Sequence, residues 1–328
     1  MSIKDKLKKL RFLLWSLVAM LLWWSVRQIP LNDILDVLRQ ILGWQILALL
    51  VVNVGVVLLL GGRWWLILRA YGHRLPFWVV MRYRLAAFGV SYFTPGPQFG
   101  GEPLQVHYLR HNHQIPGTEA AATITVDKII ELLTNFGFLI FGILMLTTLE
   151  TTAQIQSSRL VIAVSGPALL PAVYLGQLWM GKQPIAGVLR LLPVRWKDRP
   201  WLANAIELVE ITEVQVTALC RQKPRLIFGL LFYSGVLWAV LGFEYWLALR
   251  FLGGVLNFRQ LVSVMVMARL AFLTPMPGGL GALEAGQVLA MQILGLNPAL
   301  GVGISLLIRA RDVLFGSLGL WWGGLRQR

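Results

Sequence analysis

Cysteine is almost absent from this chain. Cys220 stands alone, which excludes a disulfide framework and a cysteine-based metal site. Charge is scarce as well, at 14% of the residues, against roughly a quarter in soluble domains. Hydrophobic residues make up 57% of the 328, more than a water-soluble core of this size hides. What charge there is leans one way, with 30 Lys and Arg against 15 Asp and Glu. In a soluble protein that excess would point to nucleic acid. Here the basic residues sit between apolar stretches, as in Arg63-Trp-Trp and Arg195-Trp-Lys197-Asp-Arg199. That pattern belongs to loops lying on anionic lipid headgroups, so no nucleic-acid role is expected. The chain also lacks a nucleophile elbow, a P-loop and a dinucleotide fingerprint. It is therefore not expected to be an enzyme, nor to hold a cofactor or a metal.

What is present is a series of apolar windows approaching twenty residues, the length a helix needs to cross roughly 30 Å of hydrocarbon. Full spans are expected at Phe12–Ile29, Ile41–Gly61, Ala120–Leu149, Leu160–Met180, Leu226–Phe251 and Leu300–Gly323. Phe77–Thr94 and Leu261–Thr274 are shorter, carry Arg82, Arg84 or Arg269, and run straight into Pro/Gly clusters, as half-spans or broken helices do. The expected fold is all-α: a polytopic membrane helix bundle of about six full spans plus two broken, re-entrant elements. It forms a single integral domain over 1–328. Within it, 1–40 hold the first span and its connection, 41–158 a first repeat, 159–220 a span with a cytoplasmic connection, and 221–328 a second repeat. Lys4, Lys6, Lys8, Lys9 and Arg11 precede the first apolar run as in a signal peptide. The run is bulky and Trp-rich, however, with no small-residue cleavage site after it, and reads as a retained span.

Orientation follows the Lys/Arg bias. The basic N-terminus belongs in the cytoplasm; Leu31–Gln40, with Asp33, Asp36 and one Arg39, belongs outside. Arg63, Arg69 and Arg74 bring the chain back in, and Glu150–Ser158, free of Lys and Arg, lies outside. Gly181–Arg225 holds eight Lys and Arg, and Arg326 and Arg328 end the chain, so both belong inside. The expected location is the bacterial inner membrane, with both termini cytoplasmic. Within the long connection, Trp201–Leu219 reads as an amphipathic surface helix. Ile206, Val209, Val216 and Leu219 share its apolar side, while Glu207, Glu210 and Glu213 project elsewhere.

One motif occurs twice. Phe93-Thr-Pro-Gly-Pro-Gln-Phe-Gly-Gly-Glu102 and Leu273-Thr-Pro-Met-Pro-Gly-Gly-Leu-Gly-Ala-Leu-Glu284 share Thr-Pro-x-Pro, then glycines, then a Glu. The Thr-Pro pairs lie 180 positions apart, and charged clusters follow each Glu: Asp127 and Lys128, then Arg309, Arg311 and Asp312. The charge bias places the copies in opposite orientations, the inverted repeat common in secondary transporters. Two ordinary interfacial turns are the alternative. Asp127, Lys128 and Glu131 fall in one apolar helix and Arg309, Arg311 and Asp312 in another, although a charge at the centre of a membrane helix costs about 2.5–3.5 kcal/mol. Asp127 and Glu131 share a helix face, as do Arg309 and Asp312. Either these groups hold or gate a charged headgroup, with Glu102 and Glu284 near the mouths, or they pair only to hold helices together. Arg84 and Arg269, which precede the loops, present the forked donors that suit a phosphate. His107 and His111 have i,i+4 spacing, but with Arg110 among them and His113 beyond, a basic interfacial helix fits better than a metal site.

The Pro/Gly loop into Gly100-Gly-Glu-Pro-Leu, the basic helix to Arg110, the Ala-rich Glu119–Thr125 stretch and Pro275-Met-Pro-Gly-Gly-Leu-Gly-Ala-Leu-Glu284 resemble the membrane domain of lysylphosphatidylglycerol synthases. This flippase-like family also has stand-alone members, and the resemblance covers nearly the whole chain. It implies translocation of an anionic phospholipid, or another lipid phosphate, between leaflets. The chain ends at Arg328, just after the last span, so no synthase domain is expected. The candidate lipid-binding set is Arg84, Thr94, Pro95, Gly100, Gly101, Glu102, Asp127, Lys128 and Glu131 from the first copy. From the second it is Arg269, Thr274, Pro277, Gly278, Gly279, Glu284, Arg309, Arg311 and Asp312. A homo-oligomer and a separate lipid-modifying enzyme stay open as partners. A small-solute or ion transporter of the same architecture, or a membrane enzyme acting on lipid-linked substrates, are the competing readings.

Overall fold

The computed structural model describes residues 36, 39–94, 100–146, 169–190, 200–274 and 276–324. The expectations for Phe12–Ile29, for Glu150–Ser158 and for Pro95 lie outside these residues, and Leu160–Met180 is described only from residue 169. The described elements are helices: α1 Gly43–Ala70, α2 Phe77–Phe93, α3 Glu102–His113, α4 Gly117–Leu146, α5 Leu169–Trp179, α6 Pro184–Arg190, α7 Pro200–Gln222, α8 Pro224–Phe251, α9 Phe258–Phe272, α10 Ala282–Ile293 and α11 Pro298–Gly324. A 3₁₀ turn at Pro277–Gly279 separates α9 from α10.

Helices α1, α4 and α8 are long and apolar enough to cross a membrane. At 28 residues, α1 and α8 each extend about 42 Å, more than the hydrocarbon thickness. Helix α11 has 27 residues, a spanning length, but carries Arg309, Arg311 and Asp312 at its middle. Local chemistry sets the starts and stops. Proline, which needs no amide partner at a helix's first turn, opens α6, α7, α8 and α11. Asn257 caps α9 by accepting from the Gln260 amide at 2.9 Å, and Gln260 returns the bond to Asn257 at 2.9 Å.

The two broken elements are helical hairpins. Helix α2 has 17 residues and α3 has 12, about 26 and 18 Å, so neither alone crosses the hydrocarbon. The chain turns back between them: the Gly101 amide donates to Ser91 at 2.9 Å, and Tyr83 stacks on Tyr108 with ring centres 4.6 Å apart. Helices α9 and α10 repeat the arrangement, with Gln287 donating its amide to the Val264 carbonyl at 3.0 Å.

Each half of the described chain therefore reads long helix, hairpin, long helix, and equivalent helices run in opposite directions. Trp44 meets Phe251, the Tyr233 hydroxyl donates to the Leu59 carbonyl, and Lys223 donates to the Ala70 carbonyl, so α1 lies antiparallel to α8. That pairing makes the repeat an inverted one. The hairpins cross over: α2 packs along α11, and α9 along α4. Small residues make the first crossing close, because a methyl group at Gly319 would collide with the Leu85 carbonyl and one at Gly89 with that of Gly316.

The amphipathic helix of the connection is present as α7, with Val216, Leu219 and Cys220 buried against α4, α5 and α8. One detail differs. Glu213 does not project outward: it is 1% exposed and accepts the amides of Ile185 and Ala186, both at 3.0 Å. A short helix start needs an acceptor for its unpaired amides, and Glu213 supplies it. Leu208, Ile211 and Val214 are exposed on the other side of α7, as on a helix lying against lipid.

Candidate functional site: a charged cavity between the repeats

In the first half, Asp127 and Glu131 stand one turn apart on α4 and face two guanidinium groups. Arg63 of α1 donates to Asp127 at 2.6 Å and reaches Glu131 at 3.5 Å; Arg84 of α2 donates to Asp127 at 2.8 Å and to Glu131 at 3.2 Å. Arg63 also donates to Ser234 of α8 at 3.2 Å. Lys128 joins Glu131 at 3.2 Å to Glu102 at 3.1 Å, and Glu102 accepts the Gly100 amide at 2.8 Å. Three cations thus meet three carboxylates. The arrangement ties α1, α2, α3 and α4 together, and each charge is neutralised by contact.

In the second half Glu284 of α10 plays the part of Glu102. It accepts the Gly281 amide at 2.9 Å and is held by Arg309 of α11 at 2.6 and 3.1 Å, a forked pair. Arg309 further donates to the Gly278 carbonyl at 2.7 Å and to the Tyr92 hydroxyl at 3.3 Å, locking the second loop onto the first hairpin. Gly278 has φ of 52°, a left-handed conformation that glycine adopts without strain. Arg311 pairs with Glu244 of α8 at 2.6 Å and with its neighbour Asp312 at 2.8 Å, two carboxylates on one cation. Arg269 of α9 stands apart. Its guanidinium lies 4.6 Å above the Trp238 ring, and among the described residues no carboxylate reaches it.

Between these groups lies a cavity of about 220 Å³. Of the expected residues, Arg84, Gly101, Glu102, Lys128, Glu131, Arg269, Arg311 and Asp312 border it. Asp127 and Arg309 sit behind the wall, Asp127 under Arg63 and Arg84, Arg309 behind Tyr92. Thr94, Gly100, Thr274, Gly278, Gly279 and Glu284 belong to the loop regions and do not border the cavity, and Pro277 opens the 3₁₀ turn. Thr94 and Thr274 return their hydroxyls to the Val90 and Ala271 carbonyls, closing helix ends. Arg309 and Asp312 do not act as a unit, since each pairs with a different partner. A second, mostly apolar space of about 150 Å³ adjoins the first. It shares Asn53, Glu244, Tyr245 and Arg311 with the cavity and continues past Leu50, Leu307 and Leu314 between α1 and α11. Leu50 and Leu314 are exposed at its edge.

Arg63 was expected at the cytoplasmic end of a span finishing at Gly61. It is instead 1% exposed inside α1, which continues to Ala70, because Asp127 neutralises it. Glu244 was missed altogether. It lies 181 positions after Arg63, the same spacing that separates Lys128 from Arg309, so the repeat itself marks the place. Trp238 and Tyr245 carry no signal of their own in an apolar span. In the histidine helix the ring centres of His107 and His111 lie 4.2 Å apart, and His113 bonds Tyr83 at 3.0 Å. No group of three potential metal ligands occurs among the described residues.

An all-helical bundle with inverted hairpins around a charged cavity defines a polytopic membrane protein. The chain belongs to the family of the Lysylphosphatidylglycerol synthase TM region, whose family model matches residues 11–319. It is similar to the UPF0104 membrane protein PH1989 of Pyrococcus horikoshii, at 24% identity over 307 residues, covering 90% of this chain and 89% of the relative. No solved structure matches it.

Proposed function

We propose that the protein moves an anionic phospholipid, or another lipid phosphate, between the leaflets of a bacterial inner membrane, with both termini in the cytoplasm. The observation that carries this reading is a pair of adjoining spaces: a charged cavity between inverted repeats and an apolar path edged by the exposed Leu50 and Leu314. At about 220 Å³ the cavity is of a size to take a headgroup while the acyl chains stay outside. A small solute or ion has no use for the apolar path. Arg269, uncommitted to a carboxylate, is the site for the phosphate, since a guanidinium retained in hydrocarbon at such cost marks a functional group by default. Arg84, already held by Asp127 and Glu131, shapes the wall. Inverted repeats place such a site near the midplane, where rocking of one repeat against the other opens it to each side in turn.

The test is lipid exchange in reconstituted vesicles carrying an acyl-labelled anionic phospholipid. A membrane-impermeant quencher should reach the inner-leaflet pool faster with protein than in empty vesicles. Equal rates for every anionic lipid tried would sink the reading.

A further inference from the structure

Two buried oxygens at the join between the cavity and the apolar path have no partner. Oε1 of Glu244 accepts from Arg311 at 2.6 Å, but Oε2 has no hydrogen bond, and neither does the Tyr245 hydroxyl. Both residues border both spaces and are 5% and 9% exposed. A buried carboxylate oxygen left unsatisfied is costly, and such groups are few in a native fold. Charge points the same way. Glu244 and Asp312 share one guanidinium, which leaves a negative charge uncompensated by contact, while Arg269 supplies a positive one on the same cavity wall. The wall is therefore dipolar, with Arg269 at one end and the open acceptors of Glu244 and Tyr245 at the other.

We infer that Glu244 and Tyr245 form a specificity site for a lipid phosphate whose headgroup carries an N–H or O–H donor. The phosphate sits on Arg269, and the donor bonds Glu244 Oε2 and the Tyr245 hydroxyl. The inference rests on the proposed lipid transport and adds which headgroups are taken. A primary ammonium and a hydroxyl share the required chemistry, whereas a trimethylammonium group bears charge but no donor.

Three acyl-labelled lipids separate the cases: phosphatidylethanolamine with an ammonium, phosphatidylglycerol with hydroxyls, and phosphatidylcholine with neither donor. In reconstituted vesicles, at least one donor-bearing lipid should exchange about tenfold faster than phosphatidylcholine, as a hydrogen bond to a charged group implies. The first two arms identify which donor is used. Tyr245→Phe removes only an unpartnered hydroxyl, so it should fold normally and reduce that preference severalfold; Glu244→Gln should reduce it further. Retention of the same lipids by the purified protein, read by native mass spectrometry, distinguishes the two claims. Selective retention without exchange would reject transport and keep the site. Exchange or retention of phosphatidylcholine equal to the others, or a preference unchanged by Tyr245→Phe, would overturn the site.

Discussion

The two halves of this protein use one helical plan and spend their charges differently. In both, a glutamate opening the hairpin's short helix accepts a loop amide and is held by a cation from the next long helix: Glu102 with Lys128, Glu284 with Arg309. Beyond that shared latch the signs reverse. Arg63 of α1 meets carboxylates on α4, whereas Glu244, 181 positions later, meets a guanidinium on α11. The first half is saturated, three cations against three carboxylates. The second half leaves Arg269, Glu244 Oε2 and the Tyr245 hydroxyl open. The difference teaches that one half spends its charges on tying helices together, while the other keeps polar groups on the cavity wall without a partner in the fold.

The largest expected effect comes from breaking the ties of the first half. Asp127→Ala leaves the buried Arg63 and Arg84 sharing the one carboxylate of Glu131 and should cost about 3–5 kcal/mol, seen as a collapse of the thermal transition in detergent. Asp312→Ala, in the second half, removes one bond from an arginine that keeps Glu244, and should cost about 1–3 kcal/mol in the same measurement. The latches should rank likewise. Glu284→Gln breaks a forked pair whose carboxylate is 7% exposed, while Glu102→Gln loosens a pair near 20% exposed; the first should cost several times more than the second. The helix crossings separate by a smaller margin. Gly319→Ala drives a methyl into the Leu85 backbone carbonyl and should cost about 1–3 kcal/mol. Gly142→Ala on the equivalent crossing meets side chains and no backbone, those of Val266 and Val262, and should cost less than Gly319→Ala in the same unfolding series.

The sequence made much of this legible because membrane constraints are strict. Apolar length marked α1, α4 and α8, and the duplicated Thr-Pro-x-Pro with its glutamate marked both hairpins. Intramembrane charges on α4 and α11 stood out because each is expensive there. What stayed hidden depends on where a helix ends and what faces it. Arg63 next to two tryptophans looks like an interfacial residue until Asp127 is seen beside it. Asp127 and Arg309 look like cavity residues by type, yet their partners pull them behind the wall. Tyr245 and Trp238 are ordinary span residues whose importance comes only from the cations and cavity near them.

The central claim is that the open charge of the second half serves a lipid and not the fold. Arg269→Gln tests it most directly, because Arg269 contributes to stability only a stacking contact with Trp238, worth about 0.5–2 kcal/mol. The measurement is anionic-lipid exchange in vesicles by this variant and by the native chain, with the unfolding transition of each recorded in parallel. Arg269→Gln should unfold nearly as the native chain does, with exchange reduced to the level of empty vesicles. Native exchange from Arg269→Gln, or loss of exchange only in proportion to lost folded protein, would contradict it.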